Sequence, residues 1–108
     1  MSTRTVWGGR ISDALGLQVI GDVERLDRYA GLALRHNPAR AQLLVSRVLA
    51  KHIPVPASTA QAAGYELADR VLGAGMSPEG TLVIGFAETD TGLGHFVAER
   101  LGSAYLHT

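Results

Sequence analysis

The stretch "TLVIGFAETDTGLGHFVAERLG" runs from apolar residues into a turn built of Glu88, Thr89, Asp90, Thr91, Gly92 and Gly94, and then into an amphipathic pattern. A plain strand-to-helix corner needs only one glycine and one capping side chain. The surplus has a chemical use. Gly92 and Gly94 let backbone approach a ligand closely, and the free N–H groups at a helix start favour an anion. Thr89 and Thr91 add hydroxyl donors, and Glu88 can accept hydrogen bonds from sugar hydroxyls. Together these groups suit a phosphorylated sugar. The turn is not a Walker A loop, because no Lys follows the final Gly, and it lacks the third Gly of a dinucleotide fingerprint. Glu88 and Asp90 would repel a bare anion, so they are expected to face ribose, metal or base.

The flanking patterns say what holds this turn. Residues 81–86 read as a strand, and a helix starts at Gly92 or Leu93, with Leu93, Phe96, Val97 and Leu101 inward and Gly102 as its stop. "AYLHT" reads as a further strand. Upstream, Asp22 can cap a helix with Val23, Leu26, Ala30, Ala33 and Leu34 on one face, which "HNP" at His36 ends. Residues 43–48 read as a buried strand. Lys51, His52, Pro54 and Pro56 make a loop, after which Ser58 or Thr59 caps a helix lined by Ala60, Ala63, Leu67, Ala68, Val71 and Leu72. The first 21 residues are weakly patterned. Leu17, Val19 and Ile20 form a short strand or a packing foot there, and Trp7 is expected to anchor packing. Alternating strands and helices predict parallel βαβ units, hence an α/β fold with a mainly parallel sheet flanked by helices.

Composition narrows the partners. The chain has 108 residues, 46% of them hydrophobic and 19% charged, which fits a single folded domain. Ten basic and ten acidic residues cancel, so no nucleic-acid surface is expected. Without cysteine there is neither a disulfide nor a thiolate metal site. No stretch has the length of a signal peptide core or a membrane span, so a cytoplasmic protein with no membrane partner is expected. His36, His52, His95 and His107 lack the spacing of a zinc site, so no protein-held metal is expected.

Two long motifs carry a family resemblance. "LDRYAGLALRHNPARAQLLVSRVLAKHIPV" and "VIGFAETDTGLGHFVAERLGSAYLHT" resemble a bacterial phosphoribosyltransferase-like family, related to orotate phosphoribosyltransferases and associated with tellurite-resistance-type stress gene clusters. The resemblance runs from about Leu15 to the end. It implies a type I phosphoribosyltransferase fold that binds 5-phosphoribosyl 1-diphosphate (PRPP), with Mg²⁺, at the carboxyl edge of a parallel sheet. It also implies that the chain corresponds to the amino-terminal part of a longer enzyme, with an incomplete sheet and the last strand near an open edge.

The family's apolar strand leads to two acids and a Thr/Gly loop. Matched here, Glu88 takes the place of the second acid, at the ribose, and Ala87 replaces the first. Thr91, Gly92, Leu93, Gly94 and His95 become the phosphate loop, with Thr89 beside it. A second register anchors on Asp90, Thr91 and Gly92 and sets both acid positions on Phe86 and Ala87. The first keeps one acid at the ribose and is preferred, with Asp90 facing the base. The resemblance further implies pyrophosphate donors after an early core strand, here Lys51 and His52 with Arg47 behind them. Two functions are therefore expected. One is transfer of ribose 5-phosphate from PRPP to a nitrogenous base; the other is a non-catalytic PRPP- or nucleotide-binding module, a dimerising half domain in which a second copy is the partner.

Overall fold

The computed structural model describes residues 3–108, which form two compact units, one ending at Arg47 and the other spanning Val48–Thr108. In the first unit, β1 (Thr3–Val6), α1 (Arg10–Leu15), β2 (Val19–Asp22), α2 (Val23–Tyr29), β3 (Ala30–Leu34) and β4 (Gln42–Ser46) follow in order. β1 pairs antiparallel with β2, and β3 antiparallel with β4. The connection between β3 and β4 holds only a 3₁₀ turn at Pro38–Arg40. Such a link is too short for a crossover, so the strands must return side by side in opposite directions. The expectation of a mainly parallel sheet fails here for that reason.

Local chemistry explains several boundaries. The Asp22 carboxylate accepts the Arg25 N–H at 3.2 Å and caps α2, as its position in sequence predicts. The helix expected to run on through Leu34 stops at Tyr29. Ala30 is extended (φ −150°, ψ 167°), and pairing of Ala30 to Ser46 turns the next residues into a strand. Asn37 accepts from the Ala39 N–H at 3.1 Å and holds the "HNP" turn. Val6 is fully buried in this unit. The Asp27 carboxylate on α2 takes the Trp7 indole N–H at 3.2 Å and an Arg47 guanidinium nitrogen at 3.5 Å.

The second unit is one βαβ unit backed by a helix. α3 (Ala57–Gly73) precedes β5 (Leu82–Gly85), α4 (Thr91–Leu101) and β6 (Ala104–His107). β5 and β6 run parallel, Leu82 opposite Ala104 and Gly85 opposite His107, with α4 as the crossover. This pair is where the expected parallel sheet is found. Pro56, not Ser58 or Thr59, stands at the start of α3. Gly102 ends α4 in the left-handed conformation, φ 69°, as the sequence predicts.

Ala68, Val97 and Leu101 make the core, with Val71 and Val83 against them. A Cβ on Gly64 would lie 2.5 Å from Phe96 Cβ, so α3 and α4 meet at nearly backbone distance. The Tyr65 hydroxyl donates to Glu99, and Arg100 Nε donates to Asp69 at 3.0 Å across the same contact. The Glu99 carboxylate that accepts this bond holds the Tyr65 phenol above its ordinary pKa of 10.0. On β5 and β6, Val83 and Gly85 face α4, whereas Leu82, Ile84, Phe86 and Leu106 are exposed. No helix of the described residues is long and apolar enough to cross a membrane.

Candidate functional site

The turn between β5 and α4 is closed by its own backbone. Asp90 N–H donates to Phe86 O at 3.1 Å, and Gly94 N–H to Asp90 O at 2.8 Å. The end of β6 fastens it from the side. Thr108 Oγ1 accepts the Ala87 N–H at 2.9 Å, Thr108 N–H donates to Gly85 O at 3.1 Å, and the Tyr105 hydroxyl donates to Thr91 O. The Tyr105 ring fits because Gly85 and Gly94 leave room. A Cβ at Gly94 would come within 2.9 Å of Tyr105 Cε1, and one at Gly85 within 2.5 Å of the hydroxyl. Gly94 is therefore a packing glycine. At Gly92 a Cβ would meet nothing within 4 Å, and the residue faces solvent, which leaves backbone approach open there.

No side chain caps α4: Asp90 sits at the cap position without a side-chain hydrogen bond. With the Thr91 and Gly94 N–H groups on Glu88 O and Asp90 O, those of Gly92 and Leu93 are the ones in the first turn that remain available to an anion. Beside them lies a hollow of about 260 Å³ lined by Leu49, Ala50, Lys51, Glu88 and Thr89. Lys51 Nζ donates to Thr89 Oγ1 at 2.7 Å and lies 3.8 Å from a Glu88 carboxylate oxygen. The Glu88 side chain is 87% exposed and that of Lys51 41%. Such a solvated pair contributes at most about 1 kcal/mol, so a ligand can displace it at little cost. Ala50 takes a left-handed backbone, φ 56°, as it leads into Lys51. Strain of this kind, about 1–3 kcal/mol, concentrates at ligand loops.

The structure thus brings Lys51, Glu88 and Thr89 together, with Asp90, Thr91, Gly92 and Leu93 following along the chain into α4. His95 lies one turn further, 3.9 Å from Glu99, with its ring 5.7 Å from that of Tyr105 in a T-shaped arrangement. His52 is exposed and makes no hydrogen bond or ion pair among the described residues. Arg47 belongs to the first unit, where it is held by Asp27 and by Ala30 O at 3.2 Å. Among the described residues no three His, Asp or Glu side chains cluster to hold a metal ion.

A family model described as phosphoribosyl transferase matches residues 29–108, from the end of α2 to Thr108. The chain belongs to this family. Both segments that line the 260 Å³ hollow lie inside the match, whereas β1, α1 and β2 precede it. No curated protein and no solved structure matches the chain.

Three residues of this candidate site escape a reading of its motifs. Tyr105 and Thr108 pin the turn from β6, and Ala50 bends the loop that presents Lys51. A faint signal for Tyr105 exists in the sequence. Two small residues, Gly85 and Gly94, flank the turn, and an aromatic residue follows on the next strand, where a ring can fill the space they leave.

Proposed function

We infer that this phosphoribosyl transferase chain binds PRPP at the β5–α4 turn and transfers its ribose 5-phosphate to a nitrogenous base. The carrying observation is the convergence of Lys51, Glu88 and Thr89 beside the uncapped start of α4. The 5-phosphate takes the N–H groups of Gly92 and Leu93, where Gly92 leaves open space. The Lys51 ammonium meets the pyrophosphate, and Thr89 offers its hydroxyl once Lys51 turns to the ligand. Glu88 faces the ribose. The C1–oxygen bond to pyrophosphate breaks as a base nitrogen bonds to C1 and loses its proton, and a carboxylate nearby stabilises the positive charge that develops on the sugar.

Mg²⁺ fits this site as an ion carried by the substrate. The described residues offer no three-ligand cage, but the exposed carboxylates of Glu88 and Asp90 are hard oxygen donors of the kind that complete a phosphate-bound Mg²⁺. When bound, the ion neutralises pyrophosphate charge as it leaves. The kinship with orotate phosphoribosyltransferases and the stress-cluster association belong to the same proposal and rest on the quoted motifs.

Ala87, where the resembled pattern has an acid, favours a second reading: a domain that binds PRPP without turning it over. Calorimetric titration with PRPP and Mg²⁺, against ribose 5-phosphate and NAD, separates the outcomes. Micromolar, Mg²⁺-dependent binding of PRPP is expected. Turnover lost in Glu88→Gln with binding kept supports transfer. Binding with no turnover by the intact chain on any base leaves the binding module, and no binding by folded protein refutes both.

A further inference from the structure

A hollow in the first unit shares only Arg47 with the residues assigned to the phosphoribosyl transferase site. It holds about 750 Å³ and is lined by Trp7, Arg10, Ile11, Ala14, Leu34 and Arg47, among others. That volume falls within the roughly 300–1,000 Å³ typical of small-molecule sites. Its chemistry is lopsided. Ile11, Ala14, Leu32 and Leu34 give an apolar wall, and the two charged lining residues, Arg10 and Arg47, are both cationic. Asp27 and Ala30 O already engage Arg47, but Arg10 has no hydrogen bond or ion pair among the described residues.

Trp7 adds an oriented ring. Its backbone is left-handed, φ 55°, and its indole N–H is fixed on Asp27 at 3.2 Å, so the side chain is held from both ends. A non-glycine residue kept in this conformation stores about 1–3 kcal/mol, and such positions cluster where a ligand is gripped. Apolar body and unmatched positive charge in one hollow define an amphipathic anion.

We propose that this hollow binds a small organic carboxylate with an apolar ring, its charge on Arg10 and its ring against Trp7 and the Ile11–Leu34 wall. Guanidinium groups take a carboxylate through paired N–H donors, and the ring gains from leaving water. Neither a bare anion nor a neutral ring satisfies both halves.

Trp7 is the sole tryptophan, so its fluorescence reads occupancy directly. The full chain is titrated with benzoate, with benzamide as the uncharged ring and acetate as the bare carboxylate, in parallel with calorimetry. Saturable quenching by benzoate is expected, with both controls at least tenfold weaker. Arg10→Gln should weaken benzoate at least tenfold without moving the thermal melt, and Ala14→Phe should weaken it as well by intruding on the apolar wall. Linear, unsaturable quenching, an equal response to benzamide, undiminished binding by either variant, or no signal by both methods overturns the assignment. PRPP titration of the same variants is unaffected by either result, which keeps this site separate from the reading of the β5–α4 turn.

Discussion

Gly92 and Gly94 look interchangeable in "TGLGH", yet the structure gives them opposite surroundings, and an alanine at each measures the difference. Both lie inside α4, so both substitutions gain the same helix propensity, about 1 kcal/mol. That gain cancels when the variants are compared with each other. What remains is the fit of one methyl group. At Gly92 it meets nothing within 4 Å; at Gly94 it lies 2.9 Å from Tyr105 Cε1 and 3.2 Å from Gly85 Cα. Neither neighbour can yield cheaply, because one is backbone of β5 and the other is a ring tethered to Thr91 O. Overpacking of this kind costs about 1–3 kcal/mol, which should set Gly94→Ala below Gly92→Ala by that amount. In a domain of this size the gap corresponds to roughly 4–24 °C in melting temperature. Thermal unfolding followed by far-ultraviolet circular dichroism reads it. Equal melting temperatures, or Gly94→Ala the higher, would refute the packing argument. Ligand binding should sort the other way among folded variants: bulk at Gly92, as in Gly92→Val, should remove PRPP binding while the fold persists.

Lys51→Gln should lower PRPP affinity about tenfold to a hundredfold by removing a charged donor, with the melting temperature nearly unchanged because the native pair is solvated; calorimetry beside a thermal melt tests both halves. Asp22→Ala removes the cap of α2 and should cost about 1 kcal/mol, read by urea titration of Trp7 fluorescence, since Trp7 is bound to Asp27 on that helix. The Tyr65 phenol keeps its proton in the folded chain at pH values where the unfolded chain has lost it, so its contribution is full below pH 10.0 and is lost as pH rises through the elevated folded value. Tyr65→Phe should therefore be less stable at neutral pH but decline less steeply above pH 10.0; parallel slopes in urea titrations across that range would contradict the Tyr65–Glu99 bond.

Much of the second unit was legible in sequence because its signals are local. The apolar run before the turn, the Gly102 stop and the "AYLH" run match β5, the end of α4 and β6. Ala30, Ala33 and Leu34 misled because they continue a helical spacing and favour helix intrinsically. Pairing of Ala30 with Ser46 and Leu34 with Gln42 overrides that preference, and such partners lie beyond any sequence window. β1 and α1 went unread for want of periodicity in so short and Gly-dotted a segment. At the candidate site, Glu88 and Thr89 declared themselves by type. The bond from Lys51 to Thr89 joins segments far apart in the chain, and no spacing rule could bring them together.

The uncovered face of β5 and β6 has a practical consequence for anyone who handles this protein. Leu82, Ile84, Phe86 and Leu106 are each about half exposed or more on one small surface. Dyes that brighten on contact with apolar patches normally report unfolding, because native surfaces offer them little. Here the native chain already presents such a patch, so a dye-based melt should begin bright and rise little, or even dim as the strip frays. Such a trace resembles that of a denatured sample while the backbone remains fully ordered.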